Sequence, residues 1–184
     1  MRPRKPLKIT SRVSSVTNGF VQAILPDAPP TAAEIAEAAA ILGMDASDLR
    51  CVYCGVRSTD WDHLRPLVRG KRPTGYLNNI RNLVPACGPC NQSKSGQDWR
   101  NWMEGNARGS PTTRGVEDLP GKIAALQRFE QWEGRPSADL KAIAGAERWE
   151  RYWEKLAEIE RLMFEAQKDA EVIRARISAA IGRE

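Results

Sequence analysis

Two Cys-x-x-Cys pairs, Cys51/Cys54 and Cys87/Cys90, place four candidate metal ligands within one short stretch of the chain. Four thiolates suit a tetrahedral Zn²⁺ ion and leave no coordination position open for a substrate, so such a metal is structural. Two disulfides or four unrelated cysteines are the alternatives. Because the same spacing occurs twice and no export signal is visible, the sequence favours a structural zinc site.

The only histidine of the chain, His63, lies between the two pairs and directly follows Asp62. An imidazole titrates near neutral pH and can therefore take a proton from water. The oxygens of Asp62 and of Asn91, which follows the last cysteine, are ligands that hard cations prefer. The alternatives are a structural histidine and an asparagine that only caps a helix. Because adjacent strand residues point to opposite faces, a shared role for Asp62 and His63 requires a twisted or bulged strand.

Short elements must position these residues. We expect a strand over residues 62–66, a basic hairpin loop over 68–75, a returning strand over 82–86, and a helix that begins after Cys90. This order is β-β-α around a metal, so the predicted fold class is α+β, with a small zinc-stabilised core and flanking helices.

Three motifs of this stretch occur together: Asp-His-x-x-Pro from Asp62, Asn-Leu-x-x-x-Cys from Asn82, and Cys-x-x-Cys-Asn-x-x-Lys from Cys87. Their types and order resemble the HNH endonuclease family, in the form whose ββα-metal fold is braced by four cysteines. The resemblance covers residues 51–103 and not the flanking regions. The last motif position is Asn91 rather than histidine, which gives the H-N-N variant.

The resemblance implies a role for each motif residue. His63 would be the general base that activates a water molecule, and Asp62 and Asn91 would bind one divalent cation, Mg²⁺ or a similar ion. That cation would stabilise the phosphate and the departing 3′ oxygen. Asn82 would brace the hairpin loop and orient the base, although it could also be a plain turn residue.

The basic character of the chain fits a polyanionic partner. The net charge is +5 with a pI of about 9.2, and the excess surrounds the cysteine stretch, where a DNA backbone would lie. Lys94 could contact phosphate or be a solvated lysine, and the loop cations could serve only solubility. The candidate substrate-binding residues are Arg65, Arg69, Lys71, Arg72 and Lys94.

The sequence predicts three regions. Residues 1–47 form a basic arm and a short helix that begins at a capping box, Thr31–Glu34. Residues 48–106 form the nuclease core. Residues 107–184 form a linker, with a loop as far as Arg114, and a helical region.

A long amphipathic helix is predicted from about Glu147 to Ile181, because this stretch lacks Gly and Pro and its apolar residues share one side of a 3.6-residue period. The helix could pack within the chain or pair with a second copy as a homodimer. Two copies would supply one catalytic centre for each strand of a duplex.

The sequence therefore predicts a metal-dependent HNH endonuclease that hydrolyses DNA phosphodiester bonds, in a restriction or phage-associated role. The alternatives are a non-catalytic zinc module that binds nucleic acid and an assembly factor with a decayed centre; structured RNA is an alternative substrate. No apolar run is long enough to cross a bilayer and no secretory signal is visible, so we expect a cytoplasmic protein without a membrane partner.

Overall fold

The computed structural model describes residues 6–26, 29–134 and 137–182. These residues form two compact units. The central unit comprises the described residues of Leu25–Ala138, and the terminal unit those of Met1–Ile24 and Asp139–Glu184.

The fold is α+β, as predicted, with seven α-helices and four short strands in the described residues. The helices are α1 (Val13–Gln22), α2 (Ala32–Leu42), α3 (Gly88–Lys94), α4 (Trp99–Glu104), α5 (Leu119–Glu130), α6 (Leu140–Ala144) and α7 (Ala146–Ala180). The strands are β1 (Asp60–His63), β2 (Val68–Arg69), β3 (Arg72–Pro73) and β4 (Leu83–Ala86). Two 3₁₀ turns lie at Ile9–Arg12 and Ile80–Asn82.

The β-β-α order predicted for the central segment is present. Strand β1 pairs antiparallel with β4, and β2 pairs with β3 in the hairpin between them. The β1–β4 register is regular, from Asp60 opposite Ala86 to His63 opposite Leu83. The paired residues show no bulge, so neighbouring side chains of β1 point to opposite faces.

Helix α2 begins at the capping box that the sequence predicts. The Thr31 hydroxyl accepts a hydrogen bond from the Glu34 amide, and the Glu34 carboxylate accepts one from the Thr31 amide. This capping box satisfies backbone donors that the first turn leaves unpaired. The helix ends at Gly43, whose φ of +73° is a left-handed conformation that glycine adopts at little cost.

The core of the central unit forms around Tyr53 and Trp102, which are almost fully buried. Their rings meet edge to face with centroids 5.2 Å apart, and the Trp102 indole N–H donates to Ser93 Oγ at 3.0 Å. Buried side chains of β4, α4 and α5 complete this core. Helix α3 is thereby packed onto the rest of the unit.

The structure adds detail to the two flanking regions. The basic N-terminal arm is helical from Ile9 onward, through the first 3₁₀ turn and α1, while its residues Arg2, Arg4 and Lys5 lie outside the described residues. The segment Ala107–Arg114 consists largely of turns, in which Ser110 is fully buried and donates to the Gly105 carbonyl at 2.7 Å. Hydrogen bonds from Thr112 to the Met103 carbonyl and from Arg114 to Cys90 Sγ join this stretch to the rest of the central unit.

In the terminal unit, α1, its preceding 3₁₀ turn and the short helix α6 pack against α7. Trp153 and Leu156 are buried there, and the Tyr152 hydroxyl donates to the Phe20 carbonyl at 2.9 Å. The long helix predicted from the sequence is confirmed, with 35 residues. No helix in the described ranges is both long and apolar enough to cross a membrane.

We expect Trp102→Ala to destabilise the protein by about 3–5 kcal/mol, because it removes a buried aromatic ring and leaves a cavity. Chemical denaturation followed by circular dichroism measures this loss. The surface variant Arg100→Ala, whose ion pair with Glu104 is half exposed, should stay within about 0.5 kcal/mol of wild type. Equal effects of the two substitutions would contradict the position of Trp102 in the core.

Candidate functional site

The four cysteine sulfurs converge on one point. Their Sγ atoms all lie within 4.8 Å of one another, and Cys54 Sγ is 3.7 Å from Cys87 Sγ. A disulfide requires about 2.05 Å, and all four cysteines are free. A tetrahedral ion with Zn–S bonds of about 2.3 Å holds its sulfurs about 3.8 Å apart. The donor set and spacing therefore fit a structural Zn²⁺ ion.

Local backbone structure sets the direction of the thiols in each Cys-x-x-Cys pair. In the first pair, the amides of Cys54 and Gly55 donate to the Cys51 carbonyl at 3.3 and 2.7 Å, which closes a tight turn. Gly55 has a φ of +79°, a conformation that favours glycine. In the second pair, Cys87 is the N-cap of α3 and Cys90 lies in its first turn.

The electrostatics of the cluster also favour a cation. A hydrogen bond from Cys90 lowers the pKa of the Cys51 thiol to about 5. The same bond, together with burial and the negative charge that develops on Cys51, raises the pKa of Cys90. Four adjacent thiolates repel one another, so all four ionise together only when a positive ion neutralises them.

Arg114 contacts this cluster, which the sequence did not predict. Its Nη1–H donates to Cys90 Sγ at 3.2 Å, and this bond raises the pKa of the guanidinium. Outer hydrogen bonds of this kind hold ligand sulfurs in place and tune the metal. Arg114 lies 24 residues after Cys90 in the chain, in a stretch without a motif, so no local pattern indicated it.

His63 is held by one side chain. Its Nε2 lies 2.9 Å from Oδ1 of Asn78. With this amide oxygen as the acceptor, Nε2 carries the hydrogen and Nδ1 keeps a free lone pair. Burial lowers the pKa of the imidazole, an effect that Asn78 and Asp62 oppose and Lys94 assists. His63 is therefore neutral at neutral pH, the state that a general base requires.

The position of Lys94 matches neither role that the sequence predicted for it, a phosphate contact or a solvated lysine. The side chain is fully buried, with Nζ 3.0 Å from Asp62 Oδ2, and it donates to the His63 carbonyl at 2.7 Å. It is therefore neither a solvated lysine nor a phosphate contact. A buried carboxylate needs a partner of opposite charge, and the Tyr53 hydroxyl also donates to Asp62 Oδ2 at 2.7 Å. Burial lowers the pKa of Lys94 and raises that of Tyr53.

The predicted cation ligands keep free oxygen atoms. Both contacts to Asp62 use Oδ2, so Oδ1 has no hydrogen-bond partner among the described residues. The Asn91 amide likewise makes no side-chain hydrogen bond within the described part of the chain. Asn91 lies one turn before Lys94 on α3, on a neighbouring part of the helix surface. A carboxylate and an amide oxygen fit a hard divalent cation.

Asn82 ties the two ends of the hairpin region together. Its Oδ1 accepts from the Arg65 amide at 2.9 Å, and its Nδ2 donates to the carbonyls of Arg65 and Leu77 at 3.0 and 3.3 Å. Its side-chain hydrogen bonds go to the loop backbone rather than to the His63 ring. Asn78, which no motif indicated, holds the imidazole instead.

The basic loop residues separate into two groups. Arg65 is engaged within the chain, because its Nη2 lies 2.9 Å from Glu130 Oε1 and its guanidinium covers the Tyr76 ring at 5.3 Å. The assignment of Arg65 as a substrate contact stays a prediction, for a guanidinium that already has partners within the chain. Arg69, Lys71 and Arg72 lie on the β2–β3 hairpin with exposed side chains.

Comparison with known proteins identifies the central segment. The family model for HNH endonuclease matches residues 51–97, which contain both cysteine pairs and all the motif residues. This segment is thus an HNH domain with a four-cysteine cluster, as its motifs predicted. No curated protein and no solved structure matches the chain. The domain indicates a nuclease or nucleic-acid-binding function.

We expect Arg114→Ala to weaken zinc binding by about 10–100-fold, the usual effect of losing an outer partner of a metal ligand. Competition with a chromogenic chelator measures this affinity. Cys87→Ser, which removes a ligand, should lose stoichiometric zinc and destabilise the central unit. Arg108→Ala is a matched control at an exposed arginine, and its zinc affinity should equal that of wild type. If Arg114→Ala also binds zinc with wild-type affinity, the contact of Arg114 with Cys90 does not have the role assigned to it.

We expect Lys94→Met to destabilise the protein by about 3–5 kcal/mol, because it leaves the buried Asp62 carboxylate without its partner. Urea denaturation measures the change. The double variant Lys94→Met/Asp62→Asn removes both charges and should recover much of that stability. If the double variant is destabilised by the sum of the single losses, the two residues do not form the energetic pair that the 3.0 Å contact indicates.

Proposed function

We propose that this protein is a metal-dependent HNH endonuclease that hydrolyses phosphodiester bonds in DNA. The observation that supports this proposal most strongly is the contact of His63 Nε2 with Asn78 Oδ1 at 2.9 Å, which leaves Nδ1 as the proton-accepting nitrogen, while burial lowers the pKa of the imidazole. His63 lies on β1 within the HNH-matched segment.

In this proposal, Nδ1 of His63 accepts a proton from a water molecule as the water attacks the scissile phosphorus. Asn78 retains the hydrogen on Nε2 and thereby keeps the imidazole in the required tautomer and orientation. The positive charge that develops on the ring would be stabilised by the Asp62 carboxylate, whose negative charge opposes the lowering of the His63 pKa by burial.

Asp62 Oδ1 and the Asn91 amide oxygen would hold the divalent cation. When bound, Mg²⁺ or a similar ion supplies charge stabilisation at the phosphate and the leaving 3′ oxygen. Lys94 and Tyr53 hold Asp62 through Oδ2, which orients Oδ1 without occupying it. Lys94 is thus a positioning residue in this proposal.

The β2–β3 hairpin supports a nucleic-acid substrate. Its exposed cations, Arg69, Lys71 and Arg72, form a basic surface suited to a phosphate backbone. We propose DNA as the substrate and a restriction or phage-associated role, and structured RNA is the alternative to test beside it.

A second candidate is a zinc module that binds nucleic acid without cutting it. The observation that favours it is the buried ion pair of Asp62 with Lys94, which neutralises part of the charge that a cation would need. This candidate predicts that His63 is dispensable.

We expect His63→Ala to reduce nicking of supercoiled plasmid by about 10²–10⁴-fold, the usual contribution of a general base. Wild type should cut with Mg²⁺ and stop with EDTA, while retaining its zinc under brief chelation. Zinc content and DNA binding of the variant should match wild type, which separates lost chemistry from lost folding. Undiminished cutting by His63→Ala would refute the catalytic assignment, and binding without cutting by wild type would favour the second candidate.

A further inference from the structure

A stripe of apolar residues runs along α7 and is only partly covered. Ile159, Ile173 and Ile177 are 37%, 56% and 54% exposed. Smaller or flexible apolar residues lie in the same row of the helix, and successive members of the row are four or three residues apart in the chain. We define the α7 stripe by its members: Ile159, Met163, Ala166, Ala170, Ile173 and Ile177.

The chain itself covers a neighbouring face of the same helix. Trp153, Leu156 and Gln167 are buried there, and the Ile9 amide donates to Gln167 Oε1 at 2.7 Å. From Glu171 to Ile177 every residue is exposed, so no described residue of the chain covers the last turns of the stripe.

The spacing of the stripe is that of a coiled coil. Steps of 4, 3, 4, 3 and 4 residues between its members repeat every seven residues, which is the period of helices that wrap around each other. A helix that only packs on a globular core needs no seven-residue repeat beyond the turns that touch that core.

The order of large and small side chains along the α7 stripe is the same from either end. From either end the stripe presents two large side chains, then two alanines, then two large side chains, symmetric about Lys168. An antiparallel two-fold pairing would place Ile159 against Ile177 of a second copy, and Ala166 against Ala170 of that copy. Such self-complementarity is what an isologous dimer requires.

The charges beside the stripe argue against a membrane or nucleic acid as the occupant. Arg161 donates to Glu158 and Glu165 at 2.7 and 2.5 Å, so the neighbouring surface carries paired charges of both signs. A helix that binds anionic lipid or phosphate presents an excess of cations.

We propose that α7 pairs antiparallel with α7 of a second copy of this chain through the α7 stripe. The contact from Ile159 to Ile177 would extend over about 27 Å at 1.5 Å per residue. This inference concerns the terminal unit and does not depend on the proposed nuclease activity.

The first test is the mass of the full-length protein by sedimentation velocity over a concentration series. Wild type is expected to be a dimer at micromolar concentration. Ile173→Glu should raise the dimer dissociation constant by at least about 100-fold, because two isoleucines leave the interface and two charges enter it. Val172→Glu is the matched control, since Val172 is 54% exposed on the other side of the helix, and it should remain dimeric.

Far-UV circular dichroism of each variant checks that α7 stays helical, and Ile177→Glu serves as the second variant if Ile173→Glu does not fold. A wild-type protein that is monomeric at tens of micromolar would overturn the proposal. Equal dissociation of the Val172→Glu and Ile173→Glu variants would also overturn it, because the contact would then not follow the stripe.

A cysteine-pairing experiment tests the direction of the helices. The single variants Ala166→Cys and Ala170→Cys are oxidised separately and as an equal mixture, with wild type as the control for its native cysteines. Antiparallel pairing predicts crosslinked dimer chiefly in the mixture after exchange of subunits. Efficient crosslinking of each single variant alone would indicate parallel helices and would refute the proposed register.

Discussion

The convergence of four cysteine sulfurs is the constraint on which the HNH segment depends. The strands that carry the site have only two to four residues each, too few to form a stable sheet by themselves. Sulfurs within 4.8 Å of one another at residues 51, 54, 87 and 90 fix both ends of this segment at one point. A metal ion bound there would supply folding free energy directly.

The buried contact between Lys94 and Asp62 is the second tie, and it connects α3 to β1. The regular β1–β4 pairing turns Asp62 inward and His63 toward the other face, and it lacks the bulge by which the sequence analysis expected the two residues to share a role. Lys94 contacts the Asp62 carboxylate and the His63 carbonyl together. Lys94 on α3 is thus joined to two neighbouring residues of β1, through the side chain of Asp62 and through the backbone of His63.

The ion pair of Lys94 with Asp62 explains why an HNH domain is consistent both with catalysis and with binding of nucleic acid without cleavage. Lys94 neutralises Asp62 through one oxygen and leaves the other without a hydrogen bond among the described residues. If Oδ1 binds a cation, the pair orients a ligand; if it does not, the pair is only part of the core. The neutral, singly anchored His63 favours the catalytic interpretation.

Features that depend on local spacing could be predicted from the amino-acid sequence: the four-cysteine cluster, the β-β-α order, the capping box at Thr31 and the long helix α7. Each follows from residues a few positions apart or from a continuous period. Three contacts became visible in the folded chain alone: Asn78 holds His63, Arg114 bonds to Cys90, and Lys94 is buried. These contacts join residues 15, 24 and 31 positions apart, and such distances carry no periodic signal, because packing of separate elements alone brings the side chains together.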